Sequence, residues 1–505
     1  MKRLYASIVL VISTVLFFVF GFLILQFIST SSSALGGFIY MLLSISSVLI
    51  WLGIFLYSDS KNKLPWLFII AIFPIVGVIA YLMIGHGFKE TMRFKKRLKE
   101  LGPDFVFKVQ TFKQAPTQSL SEVATSLVKL NEMTNQTGIS FHTQTKILTN
   151  GDQKFPALLD ALRSAKSFIF LEYYIFNSDE IGWEIINILI EKAQEGVEVR
   201  VLYDPLGTTK KMTKSAVSKM RAGGVVVAQF DPVLIPFLTN KVNHRNHRKI
   251  VVVDGRVGVT GGINIGDEYL HRAPRYPFWR DSSILLEGEA VYHLSVIFAG
   301  DWFFATGERL EDEKYFVLYP VKSSGAVQII DSGPQSSIAN IKQCFFRMIM
   351  SAKKSVYLIT PYLIPDVDIL SALKNASLSG IDVRIIVPGF PDRVFVYLAT
   401  QSYFEQLLEV GVRIFTYDAV FCHSKVMVID EEIASIGTTN MDIRSFYLNF
   451  EVNVVLYETE SIQQLLNDFN IDLSRSTELF YEEWKQRSVL VRSAQSLAQL
   501  FSPIM

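Results

Sequence analysis

Hydrophobic positions follow two contrasting patterns along the 505 residues of the chain. The first part holds three uncharged runs, Leu4–Ile28, Phe38–Tyr57 and Leu64–Ile84, each of about 20 to 25 residues. Runs of that length can cross a hydrocarbon core of about 30 Å as helices. We therefore predict a transmembrane region over residues 1–88, with spans at about 4–28, 38–57 and 64–84. A signal peptide is the rival interpretation of the first run.

Basic residues follow the third run directly: Lys89, Arg93, Lys95, Lys96, Arg97 and Lys99. They outnumber Lys2 and Arg3 at the N-terminus, and loops rich in such residues stay on the cytoplasmic side. We therefore expect a juxtamembrane linker over residues 89–120 and place the rest of the chain on the cytoplasmic face of the cell membrane. The basic cluster either attracts anionic lipid headgroups or is a solvated helix face.

After residue 120, short β-branched runs alternate with helical patterns. "SFIFLEYYIF" is typical of a buried strand, "GWEIINILIEKAQEG" of a helix that stops at glycine, and "VEVRVLYD" of the next strand. Strand, helix and strand in that order predict parallel pairing in a sheet that helices cover on both faces.

The second part of the chain also repeats itself. "SAKSFIFLEYYIF" is echoed by "SAKKSVYLITPYLI", "GVEVRVLYD" by "GIDVRIIVP", and "HRKIVVVDGRVGVTGGIN" by "HSKVMVIDEEIASIGTTN", in the same order. Such distant copies indicate a duplicated domain. We predict an α/β fold with two lobes, residues 121–320 and 321–485, related by a pseudo-twofold axis. Each lobe has a mixed or mostly parallel sheet flanked by helices.

The tail, residues 486–505, is predicted to form an amphipathic helix. Leu490, Ala494, Leu497 and Phe501 fall on one stripe of that helix. The stripe either packs on the lobes or lies in the membrane interface, and we favour packing.

Composition excludes several classes of protein. Lys plus Arg (49) nearly balance Asp plus Glu (48), so no overall basic field points to nucleic acid, and no nucleic-acid partner is expected. Two cysteines, Cys344 and Cys422, exclude a disulfide-rich scaffold and cannot alone form a structural zinc site. We expect no metal and no cofactor.

The third repeated stretch carries the candidate chemistry. Five polar or glycine positions are identical in the two copies, namely His247/His423, Lys249/Lys425, Asp254/Asp430, Gly261/Gly437 and Asn264/Asn440. Folding of a duplicated strand requires only its apolar pattern. A histidine, a lysine and an amide kept at matched spacing therefore indicate a shared function.

The spacing places like groups together. Residues i and i+2 of a strand point to the same face, so His247 lies beside Lys249 and His423 beside Lys425. If the pseudo-twofold joins the strand starts, two imidazoles and two ammonium groups meet in one cleft. That set suits a phosphodiester, whose charge grows in the transition state. Asn264 and Asn440 can add amide donors to the phosphate.

Four other residues in or beside the motifs receive other interpretations. His244 has no equivalent in the second copy, so we expect a surface or phosphate-rim residue. Asp254 and Asp430 belong to the repeated motif, and their positions at strand ends favour support of the turn over a chemical step. Cys422 is expected to be a packed strand residue.

These motifs resemble the phospholipase D superfamily, whose mark is His-x-Lys, four residues, Asp, six residues, Gly, two residues and Asn, present twice. Within it the chain is similar to the bacterial cardiolipin synthase family. The similar stretches include "YYIFNSD", "NHRNHRKIVVVDG", "FWRDS", "GTTNMDIRSFYLNFEVN" and the apolar "LPWLFIIAIFPIVGVIAYLMIGHG".

The resemblance implies a two-step transfer of a phosphatidyl group between two phosphatidylglycerol molecules, through a phosphohistidine, to give cardiolipin and glycerol. It assigns His247 as nucleophile and His423 as acid and then base, with Lys249 and Lys425 meeting the phosphate charge. It also implies that an acidic residue about thirty positions after each histidine orients that imidazole. The matching residues are Asp281 after His247 and Glu451 after His423.

Other functions remain open at this stage. The same site could serve a hydrolytic phospholipase, or a synthase that uses another phospholipid donor. A nuclease carries the same motifs, but the near-neutral charge and the apolar runs oppose it. A lipid-binding scaffold with a decayed site should have lost one motif copy, and both are intact. The oligomeric state is not predicted.

Overall fold

A computed structural model describes residues 120–502, apart from 210, 233–242, 274–277, 337 and 419–420, with a few positions between 66 and 100. The chain divides into two compact units. One comprises Met1–Glu90, Ile235–Asn243 and Ile504, and the other comprises Thr91–Leu234, His244–Pro503 and Met505. Apart from Ile235–Asn243, both predicted lobes belong to the second unit.

The described strands are short and mostly buried. In chain order they are β1 (Ile139–Ser140), β2 (Thr143–Thr149), β3 (Phe168–Tyr173), β4 (Glu198–Tyr203), β5 (Val226–Gln229), β6 (Lys249–Val253), β7 (Val257–Gly261), β8 (Trp279–Arg280), β9 (Ser282–Gly288), β10 (Ala326–Ser332), β11 (Ser355–Ile359), β12 (Leu363–Ile364), β13 (Asp382–Pro388), β14 (Arg413–Tyr417), β15 (Phe421–Cys422), β16 (Val426–Ile429), β17 (Ile433–Gly437), β18 (Met441–Asp442), β19 (Glu451–Tyr457) and β20 (Ser476–Leu479).

The α-helices after residue 120 are α1 (Glu122–Asn135), α2 (Asn150–Ser164), α3 (Glu180–Gln194), α4 (Lys214–Ala222), α5 (Val291–Thr306), α6 (Asn340–Ser351), α7 (Val367–Leu378), α8 (Val394–Gln401), α9 (Phe404–Leu408), α10 (Ile443–Tyr447), α11 (Ser461–Ser474), α12 (Tyr481–Lys485) and α13 (Val489–Leu500). Two 3₁₀ turns lie at Asp267–Leu270 and Glu313–Phe316.

Two large sheets repeat one strand order. The first is seven-stranded, β2-β9-β7-β6-β3-β4-β5, and the second is nine-stranded, β1-β10-β19-β17-β16-β11-β13-β14-β20. Seven neighbouring strands of the second sheet, β10-β19-β17-β16-β11-β13-β14, match the seven strands of the first sheet in the same spatial order. This repeated order is the topology of a duplicated domain. Within the two large sheets, parallel pairing is limited to β3-β4-β5 and β11-β13-β14. The mixed α/β fold is confirmed, but the sheets are mostly antiparallel.

A shared apolar core joins the lobes. Helix α5 is buried almost all round, and its Phe298 and Trp302 belong to one cluster with Ile250 of the first sheet and Val428 and Val454 of the second. On the other face of the first sheet, α2, α3 and α4 contribute to a separate core. Helices therefore cover both faces of that sheet, as the strand and helix alternation predicts.

The predicted start of the first lobe, residue 121, is corrected by the structure. Helix α1 contributes Ala124, Leu127 and Val128 to the core of the second lobe, and β1 pairs with β10. The chain thus completes the edge of the second sheet before it enters the first. Sequence order alone assigns these residues to the wrong lobe because nothing local encodes their distant partner.

The predicted spans 4–28 and 38–57 lie outside the described residues. Within 64–84, Trp66 and Tyr81 bring their rings to 5.3 Å, and a Cβ built on Gly77 would lie 2.7 Å from the Ile70 backbone. Residues fifteen apart on one straight helix would be separated by about 22 Å along its axis. Trp66 and Tyr81 therefore do not lie on one straight helix, and the span at 64–84 stays a prediction. No helix among the described residues is long and apolar enough to cross a membrane.

The C-terminal helix α13 packs on α8, but only part of the predicted stripe takes part. Phe501, just after the helix, brings its ring to 5.6 Å from that of Phe395 in α8, whereas Leu490 and Leu497 are exposed. The buried side chains of the helix are Gln495 and Ala498. Ala498 joins a small core with Ala399. The helix uses small and polar side chains for close contact and leaves its leucines outside.

The two motif aspartates support turns. Asp254, at φ 53°, accepts hydrogen bonds from the backbone N–H groups of Lys166, Ser167 and Phe168, each at 2.8 Å. Asp430, at φ 52°, accepts the equivalent three bonds from residues 353–355 at 2.7–2.9 Å. Each aspartate thereby ties the end of a motif strand to the start of the neighbouring strand.

We predict that Asp254→Ala lowers stability by about 2–4 kcal/mol, because three charge-assisted hydrogen bonds to backbone donors are lost. Thermal unfolding followed by intrinsic fluorescence measures the change, with the exposed Asp160→Ala as the matched control. An unchanged melting temperature together with abolished turnover would place Asp254 in the chemistry instead.

Candidate active site

Both motif histidines line a single cavity of about 280 Å³. The first lobe contributes Tyr174, His247 and Asn264 to its wall, and the second contributes Tyr362, His423, Asn440 and Arg444. His247 lies two residues before β6 and His423 three residues before β16, so these strands bring the two imidazoles to the same place. The cavity wall therefore brings together the histidines and asparagines of both motif copies, whereas Lys249 and Lys425 do not line it.

Each histidine is held by a carboxylate of the other lobe. Nδ1 of His247 lies 3.0 Å from both carboxylate oxygens of Glu451, and Nδ1 of His423 lies 2.7 Å from Asp281 Oδ2. The expected pairing of Asp281 with His247 and of Glu451 with His423 is therefore wrong. A spacing of thirty residues identifies the correct carboxylates but does not give their partners, because the pairing crosses the lobe boundary.

Backbone hydrogen bonds fix the same crossed arrangement. The His247 N–H donates to the Phe450 carbonyl at 2.9 Å, and the His423 N–H donates to the Arg280 carbonyl at 2.6 Å. The two carbonyls belong to the residues that directly precede Glu451 and Asp281. Strand β8 also pairs with β15, immediately before His423. Neither lobe forms a complete site by itself.

The carboxylates determine which ring nitrogen is available for chemistry. A carboxylate accepts, so Nδ1 of each imidazole carries the hydrogen. Nε2 is then the nitrogen that can attack, accept or deliver a proton. Side chains around the carboxylates hold them in place. Thr438 and Asn449 donate to Glu451, and the Ser282 N–H donates to Asp281.

A small residue makes room for the shorter carboxylate. A Cβ built on Gly262 would lie 2.1 Å from Asp281 Oδ1, so only glycine fits there. At the equivalent position of the second lobe stands Thr438, whose hydroxyl bonds to the longer Glu451. The motif glycines Gly261 and Gly437 meet the neighbouring strand just as closely, with 2.4 Å from a built Cβ to backbone atoms.

Burial depresses the proton affinity of the basic groups. Desolvation lowers the pKa of Lys249 to about 7 and that of Lys425 to about 8, against the opposing pull of Glu451 and Asp281. Desolvation and Lys425 lower the pKa of His423 to about 4, and desolvation also lowers the pKa of His247. Four basic groups thus lie in a dry site, and an anion would restore their charge.

Each motif lysine donates a hydrogen bond to the backbone carbonyl of its own motif histidine. Lys249 Nζ donates to the His247 carbonyl at 2.7 Å, and Lys425 donates to the His423 carbonyl. Lys425 Nζ also lies 2.9 Å from His423 Nδ1. Each ammonium group is therefore fixed beside its own histidine, as the i, i+2 spacing predicts.

The two asparagines differ in their engagement. The Asn264 side chain accepts a hydrogen bond from the Ile175 N–H and donates one amide hydrogen to the Tyr269 hydroxyl, both at 3.1 Å. Its second amide hydrogen takes part in neither of these two bonds. Asn440 Oδ1 is buried without a hydrogen-bond partner among the described residues. Both amides line the cavity, and their contact with a phosphate stays a prediction.

Comparison with known proteins identifies the family. A family model described as "Cardiolipin synthase, PLD-like domain" matches residues 158–302 and 345–473, and one described as "Phospholipase_D-nuclease N-terminal" matches residues 36–86. A curated cardiolipin synthase of Halalkalibacterium halodurans is 45% identical over 472 residues, which are 92% of this chain and 93% of that protein. The chain belongs to the cardiolipin synthase family.

Other comparisons agree at the levels of sequence and fold. A curated cardiolipin synthase of Geobacillus kaustophilus is 44% identical over 93% of this chain and 94% of that protein. The crystal structure of phosphatidylserine synthase from Haemophilus influenzae matches with a TM-score of 0.56 at 16% identity. That match covers 72% of this chain and 95% of the other, and it shows the fold alone.

Sequence reasoning missed two aromatic residues in this member of the cardiolipin synthase family. The Tyr174 ring meets the His247 ring edge to face at 5.0 Å, and Tyr362 lies similarly at 6.5 Å from His423. The two tyrosines are not equivalent in the repeat, because strand pairing aligns Tyr174 with Pro361 and Ile175 with Tyr362. Comparison of the two copies therefore gives no signal for either ring.

It also missed a buried ionic network behind His247. Arg245 is paired with Asp204, with Nε 2.9 Å from Oδ2. Arg248 donates to Asp301, to Asp331 and, at 3.1 Å, to the Glu451 carbonyl. Arg248 stands at the variable position of the motif, where the second copy has Ser424, so the repeat gives no signal for it.

Two neighbouring residues are buried. His244 is 2% exposed, and its Nδ1 lies 3.2 Å from the Leu448 carbonyl, so the expectation of a surface or rim position is wrong. Cys422 is fully buried in β15, and burial raises the pKa of its thiol to about 12, as for a packed residue. No group of three or more His, Cys, Asp or Glu side chains in the described chain is arranged to hold a metal ion.

The crossed pairing generates a prediction. Glu451→Gln should lower the pKa of His247 further and leave that of His423 unchanged. The Glu451 carboxylate stabilises the imidazolium form of His247 but not that of His423, and the substitution removes its charge. Asp281→Asn should do the reverse. The measurement is NMR titration of ¹³C-labelled histidine, with the seven histidines of the chain assigned by substitution. Each variant should also slow turnover by about 10²- to 10⁴-fold.

If Asp281→Asn shifts His247 instead, each carboxylate serves its own lobe and the crossed arrangement fails. The isosteric replacements keep the side-chain shape, so intact thermal unfolding serves as the control for folding.

Proposed function

We propose that the protein is a cardiolipin synthase that transfers a phosphatidyl group from one phosphatidylglycerol to another, giving cardiolipin and glycerol. The observation that carries the proposal is the pair of histidines, each oriented by the other lobe's carboxylate, on one cavity. Two oriented imidazoles on one phosphodiester can divide nucleophile and proton carrier between them. The names of the curated relatives support the same reaction.

In the first step, Nε2 of His247 attacks phosphorus and the bond from phosphorus to the glycerol oxygen breaks. His423, as imidazolium, gives its proton to that oxygen, and glycerol leaves. The pKa of His423 is about 4 without substrate. A bound phosphodiester anion raises it, because the negative charge favours the imidazolium. Lys249 and Lys425 stabilise the charge on the phosphate oxygens.

In the second step, the terminal hydroxyl of another phosphatidylglycerol attacks the phosphohistidine. His423 now accepts the hydroxyl proton, and the bond from phosphorus to His247 breaks. Cardiolipin leaves, and both imidazoles return to their starting states. Exclusion of water from a buried site favours the lipid hydroxyl over hydrolysis.

The membrane anchor and orientation form part of the proposal. Residues 1–88 contain the apolar runs that would hold the enzyme in the bilayer, and the basic residues after Lys89 favour lobes on the cytoplasmic face. Not all of these cations are free for headgroups, because Arg93 donates to the Asp231 carboxylate at 3.1 Å. Phosphatidylglycerol, cardiolipin and the bilayer are the expected partners.

A product assay tests the reaction. Purified full-length protein with phosphatidylglycerol vesicles should form cardiolipin and glycerol in equal amounts, detected by thin-layer chromatography and an enzymatic glycerol assay. His247→Ala and His423→Ala should each reduce formation by at least about 10³-fold. Phosphatidic acid as the main product would instead support a hydrolase.

The roles of the two histidines are tested by trapping. His423→Asn lacks the acid and the base, but a phosphatidyl ester of p-nitrophenol needs no acid to leave. This variant should release about one equivalent of nitrophenolate and accumulate a phosphatidyl group on His247, because the second step has no base. Peptide mass spectrometry locates the adduct, with His247→Asn as the matched control. An adduct on His423 in His247→Asn, together with no adduct on His247 in His423→Asn, would reverse the roles.

A further inference from the structure

An exposed apolar face lies on α8 and on the C-terminal helix α13. It comprises Val394 and Phe395 of α8 and Val489, Leu490, Leu497 and Leu500 of α13, and we name it the α8–α13 face. Leu490 is 83% exposed, Val489 76% and Val394 67%. Scattered single apolar residues on a surface are ordinary, but clusters on packed neighbouring helices indicate a binding surface.

The two helices form one continuous surface. The rings of Phe395 and Phe501 lie 5.6 Å apart, and Gln495 donates to the Gln401 side chain at 3.2 Å. Tyr403 and Ser502 bring their hydroxyl oxygens to 3.2 Å just beyond the ends of the two helices. Of the residues of the face, Phe395 takes part in these contacts, whereas Leu490 and Leu497 do not.

The same two helices reach the active-site cavity. Arg393 directly precedes α8, Val396 lies within it and Ser502 follows α13, and all three line the cavity that holds His247 and His423. The apolar face and the cavity wall are therefore parts of one structure. A molecule that rests on the face is close to the cavity entrance.

Charge selects the kind of partner. Neither α8 nor α13 contains an acidic residue. Arg393 is exposed, and the side chain of Arg492 is 49% exposed, although it lies 3.5 Å from the Glu405 carboxylate. Apolar side chains flanked by cations match the chemistry of an anionic bilayer surface, where hydrocarbon lies beneath phosphate headgroups.

We propose that the α8–α13 face inserts into the bilayer surface and that phosphatidylglycerol passes from the membrane beside it into the cavity. The delivery of substrate rests on the proposed function, whereas insertion of the face does not. The lobes would then contact the bilayer independently of the N-terminal apolar runs. Insertion next to the cavity shortens the path by which a two-chain lipid presents its phosphate to the histidines.

Labelling at single cysteines tests insertion directly. Cys344 and Cys422 are fully buried, so a thiol-reactive environment-sensitive dye should react only at an introduced site. Full-length Leu490→Cys and Leu497→Cys are labelled and reconstituted in phosphatidylethanolamine–phosphatidylglycerol vesicles containing doxyl lipids. The matched control is Leu378→Cys, which is 69% exposed at the end of α7.

Quenching by doxyl lipid at 490 and 497, at least about threefold stronger than at 378, is the expected result. Equal quenching at all three positions would overturn the proposal. So would a blue-shifted dye at 490 without lipid quenching, since another protein surface, from this chain or from a second copy, would then cover the face.

Activity provides the second readout. In Leu490→Ser/Leu497→Ser, the ratio of cardiolipin formed from vesicle lipid to that formed from short-chain monomeric phosphatidylglycerol should fall about tenfold. Leu378→Ser should keep the wild-type ratio. An unchanged ratio in the double variant would overturn substrate delivery at this face.

The two proposals fail separately. Quenching at 490 in a protein that forms no cardiolipin would refute the proposed function and leave insertion standing. Cardiolipin synthesis without quenching at 490 would refute only the α8–α13 face.

Discussion

The exchange of carboxylates between the lobes is the constraint on which the rest of the site depends. His247 rests on Glu451 and His423 on Asp281, and a backbone hydrogen bond from each histidine to the residue before that carboxylate fixes the register. A small shift of one lobe against the other would disturb both imidazoles at once. The shared core around α5 and the buried salt bridges of Arg248 and Arg280 resist such a shift.

Burial gives this site its electrostatic character. A lysine or an imidazole removed from water holds its proton less strongly, and the pKa values of Lys249 and Lys425 fall to about 7 and 8. The two carboxylates limit that fall without neutralising the site. A phosphodiester anion then supplies the missing negative charge, so substrate binding and protonation of the cavity support each other. The basic groups of the site therefore hold their protons most strongly when a phosphodiester is bound.

Duplication has supplied a symmetric frame on which different side chains act. The strand order is repeated, and both motif aspartates make the same three hydrogen bonds. Around this frame, Gly262 corresponds to Thr438 and Arg248 to Ser424. Only the first lobe has the network of Arg245 with Asp204. Such differences allow two equivalent histidines to take unequal roles, and they extend to the α8–α13 face, which belongs to the second lobe's part of the chain.

The sequence by itself determined the duplicated α/β organisation, the strand starts that carry the histidines and lysines, and the identity of Asp281 and Glu451. The organisation and the strand starts follow from local periodicity and from comparison of one half of the chain with the other, and the two carboxylates follow from the resemblance to the superfamily. Only the tertiary structure decided that the carboxylates are exchanged, that α1 and β1 belong to the second lobe, and that Leu490 and Leu497 face outward. Each of these depends on contacts between distant segments, and spacing along a chain does not encode which of two similar surfaces will meet.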